Sequence, residues 1–177
     1  MLKLFKKIRA ARSGMAAAEF ALVLPALLAL LFGAIEVTNV LLVRSDVANI
    51  TSSAADLVSQ EATVSDSDMT NVFNALSALI YPSSSNGAAV VITSVIDDGK
   101  GGGKVAWSDA HNGTAHTVGS AMTVPSGLIA AGGSVIVAEV TYTYTPPSAY
   151  LVKVPVTMTN TFYSHPRRVA QISRVHS

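Results

Sequence analysis

From Ala16 to Val43 the chain is almost wholly apolar, and Phe20 to Ile35 carries no charge. About 20 apolar residues suffice for a helix to cross a bilayer, and 28 residues rise about 42 Å at 1.5 Å each. The run therefore predicts a tilted transmembrane helix with some overhang. Beyond it the pattern changes without a break. Val43, Val47, Ile50, Ala54 and Leu57 recur at alternating spacings of four and three, with Arg44, Asp46, Asn49, Thr51 and Asp56 between them. That is one apolar stripe on a helix, so the same helix is expected to leave the lipid and lay one face on a folded domain. Pro25 lacks a backbone donor and can bend the helix early in its course.

Ser65-Asp66-Ser67-Asp68 interrupts this pattern and can cap a second helix, along which Met69, Phe73, Leu76 and Ile80 form a new stripe. Pro82 and the cluster from Ser83 to Gly87 stop it. Ala88 to Ile96 is rich in β-branched residues and predicts a strand. Asp97 to Gly103 reads as a turn and Val105 to Ser108 as the returning strand of a hairpin. Residues 109 to 133 show little periodicity and predict a loop with a short helix near Ser126–Ala131. Ile136, Ala138, Val140, Tyr142 and Tyr144 then alternate on one strand face, up to Pro146-Pro147. Val152, Val154, Val156, Met158 and Phe162 alternate again. The polar stretch from His165 onward is expected to fray.

The expected class is α+β: a long transmembrane and amphipathic helix, a short helix, and a small antiparallel sheet of about four strands covered by helix. The corresponding divisions are a basic leader at 1–14, the helix at 15–62, an extracytoplasmic domain at 63–166 and a polar tail at 167–177.

Composition sharpens this picture. Half of the 177 residues are hydrophobic and only 13% are charged, against about 25% charged in ordinary soluble domains. There is no cysteine, which removes disulfides, thiolate metal sites and a cysteine nucleophile. Lys3, Lys6, Lys7, Arg9 and Arg12 precede the apolar run with no acid among them. The rest of the chain holds seven basic and eleven acidic residues. The positive-inside rule then puts the N-terminus in the cytoplasm and everything after Val43 across the membrane. The folded part lacks the basic face that nucleic acid requires. A conventional secretory signal would need a shorter apolar core and a small-residue cleavage site; Phe32 to Val40 offers none.

Glu19 stands inside the apolar helix near its start. A carboxylate at the bilayer centre costs about 2.5–3.5 kcal/mol; near a helix N-terminus the cost falls and the dipole favours an acid. It is either an interfacial residue near the headgroups or one with a partner, such as a free amine made by cutting nearby. Gly14 ahead of it is either a flexible joint, with Ser13 as a helix cap, or part of a processing site. The segment Arg12-Ser13-Gly14-Met15-Ala16-Ala17-Ala18-Glu19-Phe20 resembles a type IVb prepilin processing site. Phe20 in place of the tyrosine usual in major pilins makes it similar to the TadE-like pseudopilins of tight-adherence (Tad/Flp) pili. The strand Val135–Pro146 and the close Phe162 to Arg168 also resemble that family, whereas residues 66–133 fit no pattern in it.

The resemblance implies a pilin-like fold and cleavage of the Gly14–Met15 bond by a prepilin peptidase. It also implies that Glu19 is neutralised by the new Met15 amine of a neighbouring subunit. The implied partners are the inner membrane, the peptidase, the major pilin and the pilus platform proteins. The implied localisation is single-pass in a bacterial inner membrane, with the domain periplasmic or carried into a pilus.

Other chemistry is poorly supported. Asp109, His111 and His116 have no recognisable metal-ligand spacing, and exposed loop histidines are the expected reading; His165 and His176 lie near the end. Asp97-Asp98-Gly99 is followed by Lys100 and Lys104 where a calcium loop needs further ligands, so a hairpin turn is expected. There is no Gly-x-Ser-x-Gly elbow and no Walker spacing. Tyr142 and Tyr144 are expected to pack within the sheet. No catalytic residue, cofactor, metal or small-molecule substrate is expected. The leading function is a non-catalytic pilus assembly component; the alternative is an uncleaved, signal-anchored envelope binding domain unrelated to pili.

Overall fold

A computed structural model describes residues 12–79, 88–146 and 154–176. Lys3, Lys6, Lys7 and Arg9 of the leader, the helix end expected at Ile80 to Gly87, and Val152 lie outside the described residues. Two compact units divide the chain: Met1–Val40 with Pro146–Val154, and Leu41–Thr145 with Pro155–Ser177.

The first helix, α1, runs Arg12–Ser59 and continues through Pro25. Up to Leu42 its surface is apolar and open; Leu22 is 82% exposed and Leu30 72%. An 18-residue window within Gly14–Ser59 reaches a mean hydropathy of 2.4, so this helix is long and apolar enough to cross a membrane. In the second unit the stripe turns inward, burying Val43, Val47, Ile50, Thr51, Ala54, Ala55 and Val58. The last turn differs from the sequence expectation, since Leu57 is exposed and Val58 takes the buried place. A helix turns 100° per residue, so Val58 lies nearer than Leu57 to the line through Ile50 and Ala54. The orphan carbonyls at the helix end find donors: Glu61 N–H donates to Val58 O at 3.1 Å and Arg167 N–H to Ser59 O at 2.8 Å.

The second helix, α2, spans Asp66–Leu79. Ser65 caps it, and a reciprocal bond closes the box: Asp68 N–H donates to Ser65 Oγ at 3.2 Å and Ser65 N–H to Asp68 Oδ2 at 2.9 Å. Those bonds from Ser65 hold the Asp68 carboxyl below the usual carboxylate range.

The strands are β1 (Thr63–Val64), β2 (Ala89–Asp97), β3 (Gly103–His111), β4 (Ala121–Met122), β5 (Ser134–Tyr144), β6 (Val156–Ser164) and β7 (Ser173–Arg174). Five form an antiparallel sheet in the order β4-β3-β2-β5-β6, while β1 and β7 pair parallel. The architecture is α+β. Register divides the sheet into two faces. Val90/Val140, Ile92/Ala138 and Ser94/Ile136 lie on one. Here Val43, Val47 and Ile50 of α1 meet Ala88, Val140 and Tyr142. On the other, Val95, Val135 and Val137 form a second cluster, closed by Met122, Val124, Ile129 and Tyr163. Tyr142 and Tyr144 are buried, so the alternation of that strand sorts its side chains as expected.

Three expectations need correction. Residues 126–131 form turns rather than a short helix; Gly127 and Gly132 take positive φ values of 84° and 71°, which break any helical run there. β3 continues to His111, because Asp109 and His111 pair across to Ile92 and Val90. The tail does not fray. Ile172 is buried, Trp107 Nε1 donates to its carbonyl at 2.8 Å, and Val175 N–H donates to Val64 O at 2.9 Å.

Candidate functional site

Ser13, Gly14, Met15, Glu19 and Phe20 all lie inside α1. Ser13 is therefore not the cap of this helix, and Gly14 is a helical residue rather than a joint ahead of it. Gly14 through Phe20 are exposed. Met15 and Glu19 stand four apart, one turn along the same face. From there to Leu42 the large apolar side chains stay exposed, except that Leu24 and Val40 are half-buried. A soluble monomer rarely shows a contiguous apolar patch of this extent. Gly33 and Glu36 interrupt it as buried residues, Glu36 at 2% exposure.

The polar residues of the folded part are tied to one another. Asp109 and His111, from the edge of β3, do not join His116. Asp109 takes a two-pronged ion pair from Arg174, with Nε to Oδ2 at 2.9 Å and Nη2 to Oδ1 at 3.0 Å. Arg174 Nη2 also reaches Asp66 Oδ1 at 2.6 Å, and its side chain is 7% exposed. The paired carboxylate of Asp109 first, and Asp66 after it, hold the guanidinium above its ordinary pKa. His111 stacks on Phe73 at 5.5 Å between ring centres. His116 Nε2 meets Glu139 Oε2 at 2.6 Å on the opposite face of the sheet, and His176 Nδ1 lies 3.2 Å from Asp66. Two of the expected loop histidines are thus half-buried structural contacts. No group of three or more possible metal ligands gathers among the described residues.

The Asp97-Asp98-Gly99 segment is the β2–β3 turn. Asp98 Oδ1 accepts the N–H of Lys100 at 2.7 Å and of Gly102 at 2.8 Å, which lowers its pKa. Asp97 accepts from Gly99 and Gly132. The carboxylate oxygens that a cation would need already shape the turn. The most unusual surface of the described residues is therefore the apolar helix with Gly14 and Glu19 at its start.

Comparison with known proteins points to the same segment. Residues 14–56, most of the first helix, match the family model described as TadE-like protein. That family is one of pilus components. The match takes in Gly14, Glu19, Phe20 and α1 to Asp56; the resemblance expected over residues 134–168 is not part of it. No curated protein and no solved structure matches the chain.

Proposed function

We propose that this chain is a non-catalytic minor pilin or pseudopilin that supports assembly of a Tad/Flp adhesion pilus. The single observation that carries the reading is the open apolar surface of α1 from Met15 to Leu42, within the TadE-like match. Such a surface needs lipid or neighbouring helices around it. In the inner membrane it anchors the chain, with the basic leader cytoplasmic and the domain periplasmic. In an assembled fibre the same surface packs against other subunits.

Processing follows from the start of this surface. A prepilin peptidase cuts the Gly14–Met15 bond. A helical glycine costs about 1 kcal/mol relative to alanine, which eases opening of the helix at Gly14 for the enzyme. The amine freed at Met15 is a cation at the edge of the lipid. Glu19 of a neighbouring subunit meets it, and that pairing offsets the cost of a carboxylate in an apolar stripe. Major pilin and platform proteins are the partners expected for such a subunit.

The test is the mass of the protein extracted from membranes of cells with and without an active prepilin peptidase. The reading expects the mature chain to begin at Met15 only when the peptidase is active, and Gly14→Ala to reduce cleavage. Glu19→Ala should insert normally but lose association between subunits. A chain that still begins at Met1 beside an active peptidase, and tolerates Glu19→Ala in assembly, would instead be an uncleaved envelope binding domain.

A further inference from the structure

The sheet has two unlike edges. On one side, β4 is only two residues long. On the other, β6 offers nine residues, Val156–Ser164, and among the described residues it pairs with β5 alone. Proteins ordinarily blunt an exposed edge with charged side chains, proline, a bulge or brevity. β4 is short. β6 contains no charged residue and no proline, and its register with β5 runs without a shift.

The space beside β6 is shaped as well as open. A cleft of about 460 Å³ lies between Ser52 and Ser53 of α1 and Phe162 to Ser164 of β6. Phe162, paired with Ala138 on the α1-covered face, remains 41% exposed. Thr157, Thr159 and Thr161 stand exposed on the other face. The charges at the cleft, Asp56 and Arg167, are ion-paired with each other.

We propose that the outer edge of β6 receives an extended, uncharged segment of another polypeptide, added to the sheet as a further strand. Backbone groups of β6 supply the pairing, and alternate side chains supply selectivity. Hydroxyl-bearing or β-branched residues fit beside Thr159 and Thr161, and apolar ones beside Phe162. A charged segment would lose hydration against a strand and a cleft that hold no unpaired counter-charge.

The test uses the full-length chain in detergent micelles. The probe is a fluorescein-labelled, end-capped peptide Val-Thr-Tyr-Thr-Tyr-Thr, the uncharged sequence of residues 140–145, part of which β6 already pairs with in its own sheet. Saturable binding by anisotropy is expected, with hydrogen exchange slowed within residues 156–164. Replacing the peptide's threonines by lysine should weaken binding at least about tenfold. Thr161→Lys on the protein should do the same, with the thermal midpoint unchanged because the site is exposed. Absence of saturable binding, equal binding to the Thr161→Lys variant, or exchange slowed elsewhere but not in β6 would overturn the proposal. So would self-association that Thr161→Lys abolishes, which would assign the edge to a second copy. None of these readings depends on the anchor or on cleavage, so failure here leaves the pilus reading standing.

Discussion

Between Met15 and Leu42, α1 turns nearly every large apolar side chain outward; from Val43 to Val58 it hides all of them but Leu57 and shows Arg44, Asp46 and Asn49 instead. The backbone is the same helix. Only the residues' arrangement around it changes, from apolar on all sides to apolar on one stripe. The first region leaves its large apolar side chains open, a surface suited to a surrounding apolar medium. The second takes its stability from a protein core. Substitutions should therefore act in different places, and that separation can be broken or sharpened by experiment.

The largest effect is expected at Ile50, which is buried against the sheet. Ile50→Ala should lower the domain's unfolding free energy by about 4 kcal/mol, read by denaturant titration, whereas Leu30→Ala should leave it within about 0.5 kcal/mol. Conversely, Leu30→Arg should disfavour insertion by about 2.5–3.5 kcal/mol, read as the carbonate-resistant membrane fraction, while the domain unfolds as before. If Leu30→Arg unfolds the domain, the two regions are not separate. Arg174→Ala takes from Asp109 its two-pronged counter-charge. A loss of about 3 kcal/mol is expected, together with faster exchange in residues 167–176. Ser94→Ala should have the opposite sign. The Ser94 hydroxyl is buried on the α1 side of the sheet with no hydrogen-bond partner among the described residues, so its removal should stabilise the domain by about 1 kcal/mol.

The smallest effect concerns pH. The Asp68 pKa is depressed from 3.8 by its bonds with Ser65. Its contribution is therefore complete above the unfolded value and disappears as pH falls through the lower, folded one. Below about pH 4 the first turn of α2 should fray, seen as faster amide exchange at residues 66–70, and Asp68→Asn should remove that pH dependence.

Much of the architecture was legible in the residue pattern because burial imposes a period. The spacing of Val43, Val47, Ile50 and Ala54 marked the buried stripe, and alternation from Ile136 to Tyr144 marked a central strand. The tail's order has no period for the sequence to show. Residues 165–176 bury one apolar side chain, Ile172, and otherwise dock through backbone bonds and the Arg174–Asp109 pair. Those partners lie 65 residues apart in sequence, and no local pattern announces such a contact. His116 was likewise placed by Glu139, a partner 23 residues away. Gly14, Glu19 and Phe20 stood out because a basic leader and an apolar run frame them. The edge of β6 did not, since a strand's position in a sheet is decided by pairing rather than by its own residues.

The central claim is that α1 meets lipid as a single span with the folded domain beyond the membrane. The chain has no cysteine, so one introduced at Thr114, an exposed loop residue, reports topology without background. In spheroplasts an impermeant maleimide should label Thr114→Cys before lysis, with the protein retained in carbonate-washed membranes. Labelling only after lysis, or release of the protein into the carbonate supernatant, would contradict the account.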